Sequence, residues 1–219
     1  FIALGFKPEK TKIIINTRNI QTLYPIAAKV AKKINFSNTK ATFGFTNETN
    51  IGMIFFPSLQ AATCFLPSEL KGKNIPCLIP AAIDQDDYSR GIAREIAPKL
   101  GYYKPAQIHS KFLPALQRGE KMSSSKPNTA IFTTDEPEVA EKKIKSAFTG
   151  GRDTIEEHRK HGGNPDIDSA FQYLYMILEE DDKKIEEIER DYRAGNLLSG
   201  ELKQIAAEKF ADALESIPL

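Results

Sequence analysis

Cysteine is scarce in this chain: Cys64 and Cys77 are the two in 219 residues. Both sit in apolar surroundings, AATCFLP and IPCLIP. That pattern reads as buried free thiols and argues against a disulfide framework. No apolar run reaches the length of a membrane span, and no secretory leader is visible. A reducing, cytoplasmic setting is expected. Net charge is also nearly absent, with 30 Lys and Arg against 29 Asp and Glu. The chain is therefore no bulk polycation, and any nucleic-acid contact must come from a local basic face. There is no internal repeat, no low-complexity segment and no His-Glu-x-x-His pattern. His158 and His161 lie three apart without a third ligand, so both read as surface histidines and no metal site is expected. What remains is an ordinary globular composition, 41% hydrophobic and 27% charged. Its length suffices for one large domain or two modest ones.

The first 110 residues alternate between two periodicities. TKIIIN (Thr11 to Asn16) reads as a buried strand. NIQTLYPIAAKVAKKIN has helical spacing and a basic end, with Pro25 set to kink it or delay its start. KATFGF reads as a second strand that Gly44 weakens. IGMIFFPSLQAATCF is apolar nearly all round, as in a buried, Pro-interrupted helix. IPCLIPAAI is a third strand. DQDDYSRGIAREIAPKLG is a helix with Gly101 as its stop, and PAQIHS is a short fourth strand. Strand alternating with helix predicts an α/β fold with a doubly wound parallel sheet. From about Asp135 onward only helices are expected, broken at Gly150-Gly151, Gly162-Gly163, an acidic run near Asp181, and Gly195. The last helix has Ser199 as its expected N-cap. The domains are expected at residues 1–134 and 135–219.

Four stretches carry candidate chemistry. In GEKMSSSKPN, Lys121 is a point charge on a long stem. Ser123, Ser124 and Ser125 are small donors that let backbone N–H groups approach an anion, and Lys126 adds a second cation. Such a loop either stabilises charge on a departing pyrophosphate or is simply a solvated loop. In AIDQDDY, Asp84 and Gln85 stand at the carboxyl end of a strand, where ligands bind in this architecture. Asp84 suits ribose hydroxyls, and Gln85 suits the ammonium and carboxylate of an amino acid; helix capping by Asp84 or Asp86 is the alternative. Gln60 is an amide in an apolar segment, satisfied by backbone or facing a ligand. In GGRDTIEEHRK, Asp153 with Glu156 three residues on reads as a capping box. Alternatively, Arg152 binds phosphate and Asp153 accepts from a cytosine amino group. His109 reads as packing at a strand end. The acidic run EEDDKKIEEIERD reads as a solvated helix face, and FQYLYM as core.

The order and spacing of AIDQDDYSRGIAREIAPKLGY, KMSSSKPN, GGRDTIEEHRKHGG and SGELK resemble the archaeal and eukaryotic tryptophanyl-tRNA synthetases of class I, over nearly the whole chain. The GGRDTIEEHR stretch favours this family over its nearest relative, the tyrosyl enzymes. The resemblance implies a Rossmann-like catalytic portion followed by a helical anticodon-binding domain. It implies that Lys121, Met122, Ser123 and Ser125 (loop 121–125) act on ATP and pyrophosphate. Asp84 and Gln85 would hold ribose and the amino-acid head group, and Gln60 would contact bound tryptophan. Arg152, Asp153 and Lys203 would read the anticodon. ATP with Mg2+, tryptophan and tRNA(Trp) are the implied substrates and partners, and a homodimer the implied assembly. Two departures stand out. Ser124 replaces the loop's usual lysine, as in the eukaryotic branch, with Lys126 as a candidate substitute. The His-Ile-Gly-His signature does not occur, and the family's tyrosine and glutamine contacts to the indole ring would precede Phe1. The chain thus reads as a carboxyl-terminal portion, expected to be inactive alone. A tyrosyl enzyme, or a noncatalytic RNA-binding or signalling fragment, is the alternative.

Overall fold

The first long helix follows directly from the placement of Leu23, Ile26, Ala27 and Val30. They fall on one helical face, and all four are buried in α1, Ile20–Ala31. A fully buried aliphatic side chain of this kind contributes about 2 kcal/mol. The computed structural model describes residues 1–119 and 122–217. They form two compact units: Lys12–Phe112, and Phe1–Thr11 together with Leu113–Leu219.

In the first unit, α1 runs through Pro25, which lacks the N–H that a regular helix turn would supply there. The predicted strand at Thr11 to Asn16 is not one. Its residues join no ladder among the described residues and lead into a 3-10 turn, Asn16–Asn19, with Ile13 and Ile15 exposed. β-Branched composition gives a preference, but a strand also needs a neighbour's hydrogen bonds. The predicted strand KATFGF is overturned more decisively, because its first four residues belong to helix α2, Phe36–Phe43. Asn35 caps it by accepting from the Asn38 N–H at 2.8 Å, and Gly44 closes it at φ 68°. The glycine that weakened the strand is the residue that ends the helix.

Helix α3, Ile51–Ala62, contains Pro57 as expected. It buries only one face, with Pro57, Ser58, Ala61 and Ala62, while Ile51, Met53 and Phe56 are exposed. Helix α4, Leu66–Leu70, follows. Strands β1, Leu78–Ala82, and β2, Ala106–Ser110, pair in parallel, with Leu78 opposite Ala106 and Ala82 opposite Ser110. These are two of the four expected strands, so the parallel sheet is small. The connecting segment is helical as read but not a plain α-helix. It has a 3-10 turn at Ile83–Gln85, π-turns at Asp87–Arg94 and a 3-10 turn at Ala97–Leu100, and Gly101 ends it at φ 81°. Leu23, Val30, Ala61, Phe65, Ile92 and Ile96 make the core.

The second unit contains α5, Pro137–Lys145; α6, Ile155–His161; α7, Ser169–Tyr173, continued by π-turns at Leu174–Leu178; α8, Asp182–Arg193; and α9, Ser199–Glu215. Ile144, Phe171, Leu174, Tyr192, Leu202 and Phe210 share its core. Two expected caps move by one residue. Thr154, not Asp153, caps α6 by accepting from the Glu157 N–H at 3.1 Å. The α9 cap position falls on Leu198, whose N–H donates to Glu201 Oε2 at 2.7 Å. His158 is buried rather than on the surface, with Nε2 2.9 Å from the Leu197 carbonyl oxygen. No described helix is long and apolar enough to cross a membrane. Cys64 is buried, and burial, with Cys77 adding to it, pushes its thiol up to about 12; Cys77 is only half-buried.

Candidate functional site

In the first unit, three predicted residues are joined by hydrogen bonds. Asp84 and Gln85 follow the carboxyl end of β1, and Gln60 lies in the last turn of α3. Gln60 Nε2 donates to Gln85 Oε1 at 3.1 Å, and Gln85 Nε2 donates to Asp84 Oδ2 at 3.0 Å. Each amide thereby has a set orientation, because an acceptor for one is a donor for the next. Asp84 is exposed and caps nothing with its side chain. Asp86, the other candidate cap, also makes no side-chain cap bond. It is buried, and pairs with His109 Nε2 at 2.8 Å and Arg90 Nε at 2.7 Å. His109 is therefore hydrogen-bonded rather than merely packed. Nearby, burial first, then the Asp87 and Asp84 carboxylates, push the Tyr88 phenol up. The chain Gln60–Gln85–Asp84 gathers amide donors, amide acceptors and a carboxylate just past the carboxyl end of β1.

The serine loop belongs to the second unit, with Lys121 and Glu120 outside the described residues. Met122 is exposed. Ser123 and Ser125 meet through their hydroxyls at 2.8 Å. Ser123 N–H donates to Thr129 Oγ1 at 3.0 Å, and Thr129 Oγ1 donates to the Lys126 carbonyl at 2.8 Å. Thr129 is buried, and its carbonyl accepts from the Leu116 N–H at 3.0 Å. One buried threonine thus anchors an exposed turn of small hydroxyl donors. Thr129 was not singled out in the sequence. Its signal is slight: a hydroxyl before the apolar pair Ala130-Ile131, after Lys-Pro.

The GGRD turn is held from beneath. Asp168 is fully buried. Its Oδ2 accepts from Tyr192 Oη at 2.8 Å, Gly150 N–H at 2.8 Å and Thr149 Oγ1 at 2.9 Å, while Oδ1 caps α7 through the Phe171 N–H. Burial and the Asp168 charge push the Tyr192 phenol up to about 12. Tyr192 Oη also lies 3.0 Å from Ser199 Oγ. The glycines permit this closeness. A Cβ on Gly150 would stand 2.0 Å from the Asn164 carbonyl oxygen, and one on Gly162, at φ 66°, 1.8 Å from that of Arg193. The four glycines of this motif, expected as helix breaks, are all close-packing sites as well. Asp168 and Tyr192 were missed, although Asp168 stands where an N-cap of SAFQY belongs.

Arg152 and Asp153 line a concavity of about 430 Å³ together with Thr154, Ile155, His158 and the start of α9. Arg152 Nε donates to the Gly162 carbonyl at 3.0 Å, and Asp153 is exposed. Lys203 is engaged elsewhere. Its ammonium donates to the carbonyls of Lys145 and Ala147, at 3.0 and 2.6 Å, at the end of α5 and just past it. Burial lowers it from the usual lysine range, with Asp168 acting the other way. The predicted anticodon residues thus divide into a pair at one concavity and a lysine bonded to helix-end carbonyls.

Residues 1–215 match the family described as tRNA synthetases class I (W and Y). The chain is 58% identical to the tryptophan–tRNA ligase of Sulfurisphaera tokodaii over 216 residues, covering 98% of this chain and 55% of that protein. It superposes on the tryptophanyl-tRNA synthetase of Aeropyrum pernix K1 with a TM-score of 0.86 at 33% identity, covering 98% of this chain and 59% of that one. A tyrosyl-tRNA synthetase from Aeropyrum pernix, 24% identical with a TM-score of 0.80, shares the fold. The chain spans about half the length of the curated relatives it matches. On sequence and fold together, it belongs to the class I tRNA synthetases of the tryptophanyl and tyrosyl family.

Proposed function

We propose that the chain supplies part of a tryptophan–tRNA ligase: the strand-end amino-acid site, the serine-rich ATP loop and the anticodon-reading helices. The observation that carries this reading is the hydrogen-bonded series Gln60–Gln85–Asp84 at the end of a parallel strand. In the first half-reaction a carboxylate oxygen of tryptophan attacks the α-phosphorus of ATP, which enters with Mg2+. The bond from that phosphorus to the pyrophosphate oxygen breaks, leaving tryptophanyl-adenylate. Gln85 holds the amino-acid head group, Gln60 contacts the tryptophan, and Asp84 accepts from a ribose hydroxyl. Lys121, Met122, Ser123 and Ser125 close on the phosphates and stabilise the departing charge. Catalysis is then mainly positioning and electrostatics. In the second half-reaction the terminal ribose hydroxyl of tRNA takes the aminoacyl group and AMP leaves.

Arg152 and Asp153 read the anticodon. A carboxylate that accepts from a cytosine amino group suits a CCA anticodon. Lys203 supports the same domain, and its carbonyl contacts favour an indirect part in that reading. In domain terms, residues 1–134 contribute to catalysis and residues 135–219 to anticodon binding. The working assembly is a homodimer in the cytoplasm. The test is aminoacylation by an enzyme in which this chain replaces the matching segment of the Sulfurisphaera tokodaii ligase. That enzyme is expected to charge a CCA-anticodon tRNA with tryptophan. Charging with tyrosine instead, or no charging by a folded chimera, would overturn the reading.

A further inference from the structure

Asp84 and Gln85 sit on a turn, and side chains on a turn are placed only as well as the turn is held. Two side chains from β2 reach it. Gln107 and His109 are two apart on the strand and leave the same face of the sheet. His109 Nε2 donates to Asp86 Oδ1 at 2.8 Å while Arg90 occupies Oδ2 at 2.7 Å, so both carboxylate oxygens of this buried residue are engaged. Ser89 Oγ meets Gln107 Oε1 and lies 3.1 Å from the Gln85 carbonyl oxygen. Gln107 Nε2 is buried with no hydrogen-bond partner among the described residues. An amide turned over about its last bond gives Nε2 a partner and leaves the oxygen in the nitrogen's former place. Nε2 then donates to Ser89 Oγ, and Ser89 donates to the Gln85 carbonyl. In that orientation β2 holds the turn at Asp86 through His109 and at Gln85 through Gln107 and Ser89.

We propose that His109 and Gln107 are positioning residues for the Asp84–Gln85 pair, fixing the turn that presents both side chains to the amino acid and the ribose. The proposal rests on the functional reading above, and neither residue touches a reacting atom in that scheme. The effect of losing either contact is a mis-set Gln85, felt first in the affinity for tryptophan. A purely structural contact would lower stability and leave that affinity alone.

The test has two arms. In the chimeric enzyme, His109→Ala is expected to raise the KM for tryptophan about tenfold with a smaller change in kcat. His109→Gln, whose amide still donates to a carboxylate, is expected to recover most of that loss. Tyr102→Phe removes a hydroxyl contact to Glu69 in the same unit and is the control, expected to lower stability without moving the KM. In the 219-residue chain itself, His109→Ala is expected to speed amide hydrogen exchange across residues 83–90 and not in α5. A lowered melting temperature with unchanged KM would overturn the proposal, as would unchanged exchange in the turn. An unsubstituted chimera without tryptophan-dependent activity would instead overturn the functional reading, and the exchange arm would still decide whether His109 holds the turn.

Discussion

Glu179 shows how much one carboxylate can depend on its neighbours. Its side chain is 5% exposed, and Lys209 and Lys184 approach Oε2 at 3.1 and 3.2 Å. The Lys209 contact first, then the Asp181 N–H and Lys184, hold the carboxyl at about 2, below its ordinary 4.5. A depressed folded-state value stabilises the fold above 4.5, and that contribution is lost as pH falls toward 2. Glu179→Gln is therefore expected to flatten the acid limb of stability, measured by denaturant unfolding across that window. An acid limb as steep as that of the unsubstituted chain would count against the ion pairs. The second residue-scale expectation concerns Lys126, beside the serines. If it stands in for the lysine that Ser124 replaces, Lys126→Ala in the chimeric enzyme lowers the rate of tryptophan activation about tenfold. An unchanged rate would remove Lys126 from the mechanism.

At the scale of elements, the legible parts were those set by local chemistry. The helices from α5 onward could be read because their periodicity and breaks agree with their burial, whereas β1 and β2 were legible only as short runs between turns, since Leu78 and Ile108 are exposed. The strand KATFGF could not, because Asn35 and Gly44 impose a helix on a β-prone run. The cap of α6 was misplaced because Asp153 and Thr154 are both good caps, and only the helix start chooses between them. That choice is testable. Thr154→Ala is expected to cost about 1 kcal/mol of stability. Asp153→Ala is expected to leave stability nearly unchanged while weakening tRNA charging. Equal destabilisation by the two would return Asp153 to a capping role. In the site, Gln60, Asp84 and Gln85 could be named from residue type and strand position, but not that they bond to one another. The Asp168–Tyr192 contact was out of reach, since it joins residues 24 apart through a buried hydroxyl.

For the whole molecule, family membership and extent have different consequences. Nearly all of this chain matches its relatives, while it covers about half of their length. The candidate residues fall in both compact units, Gln60, Asp84 and Gln85 in one and the serine loop and the Arg152–Asp153 concavity in the other. The proposed activation accordingly calls on residues that neither unit supplies alone. Amino-acid-dependent ATP–pyrophosphate exchange, measured with tryptophan and tyrosine in parallel, tests this most directly. Exchange with tryptophan alone is expected from the chimeric enzyme, and none from the 219-residue chain. Exchange driven by tyrosine, or none from a folded chimera, would contradict the assignment.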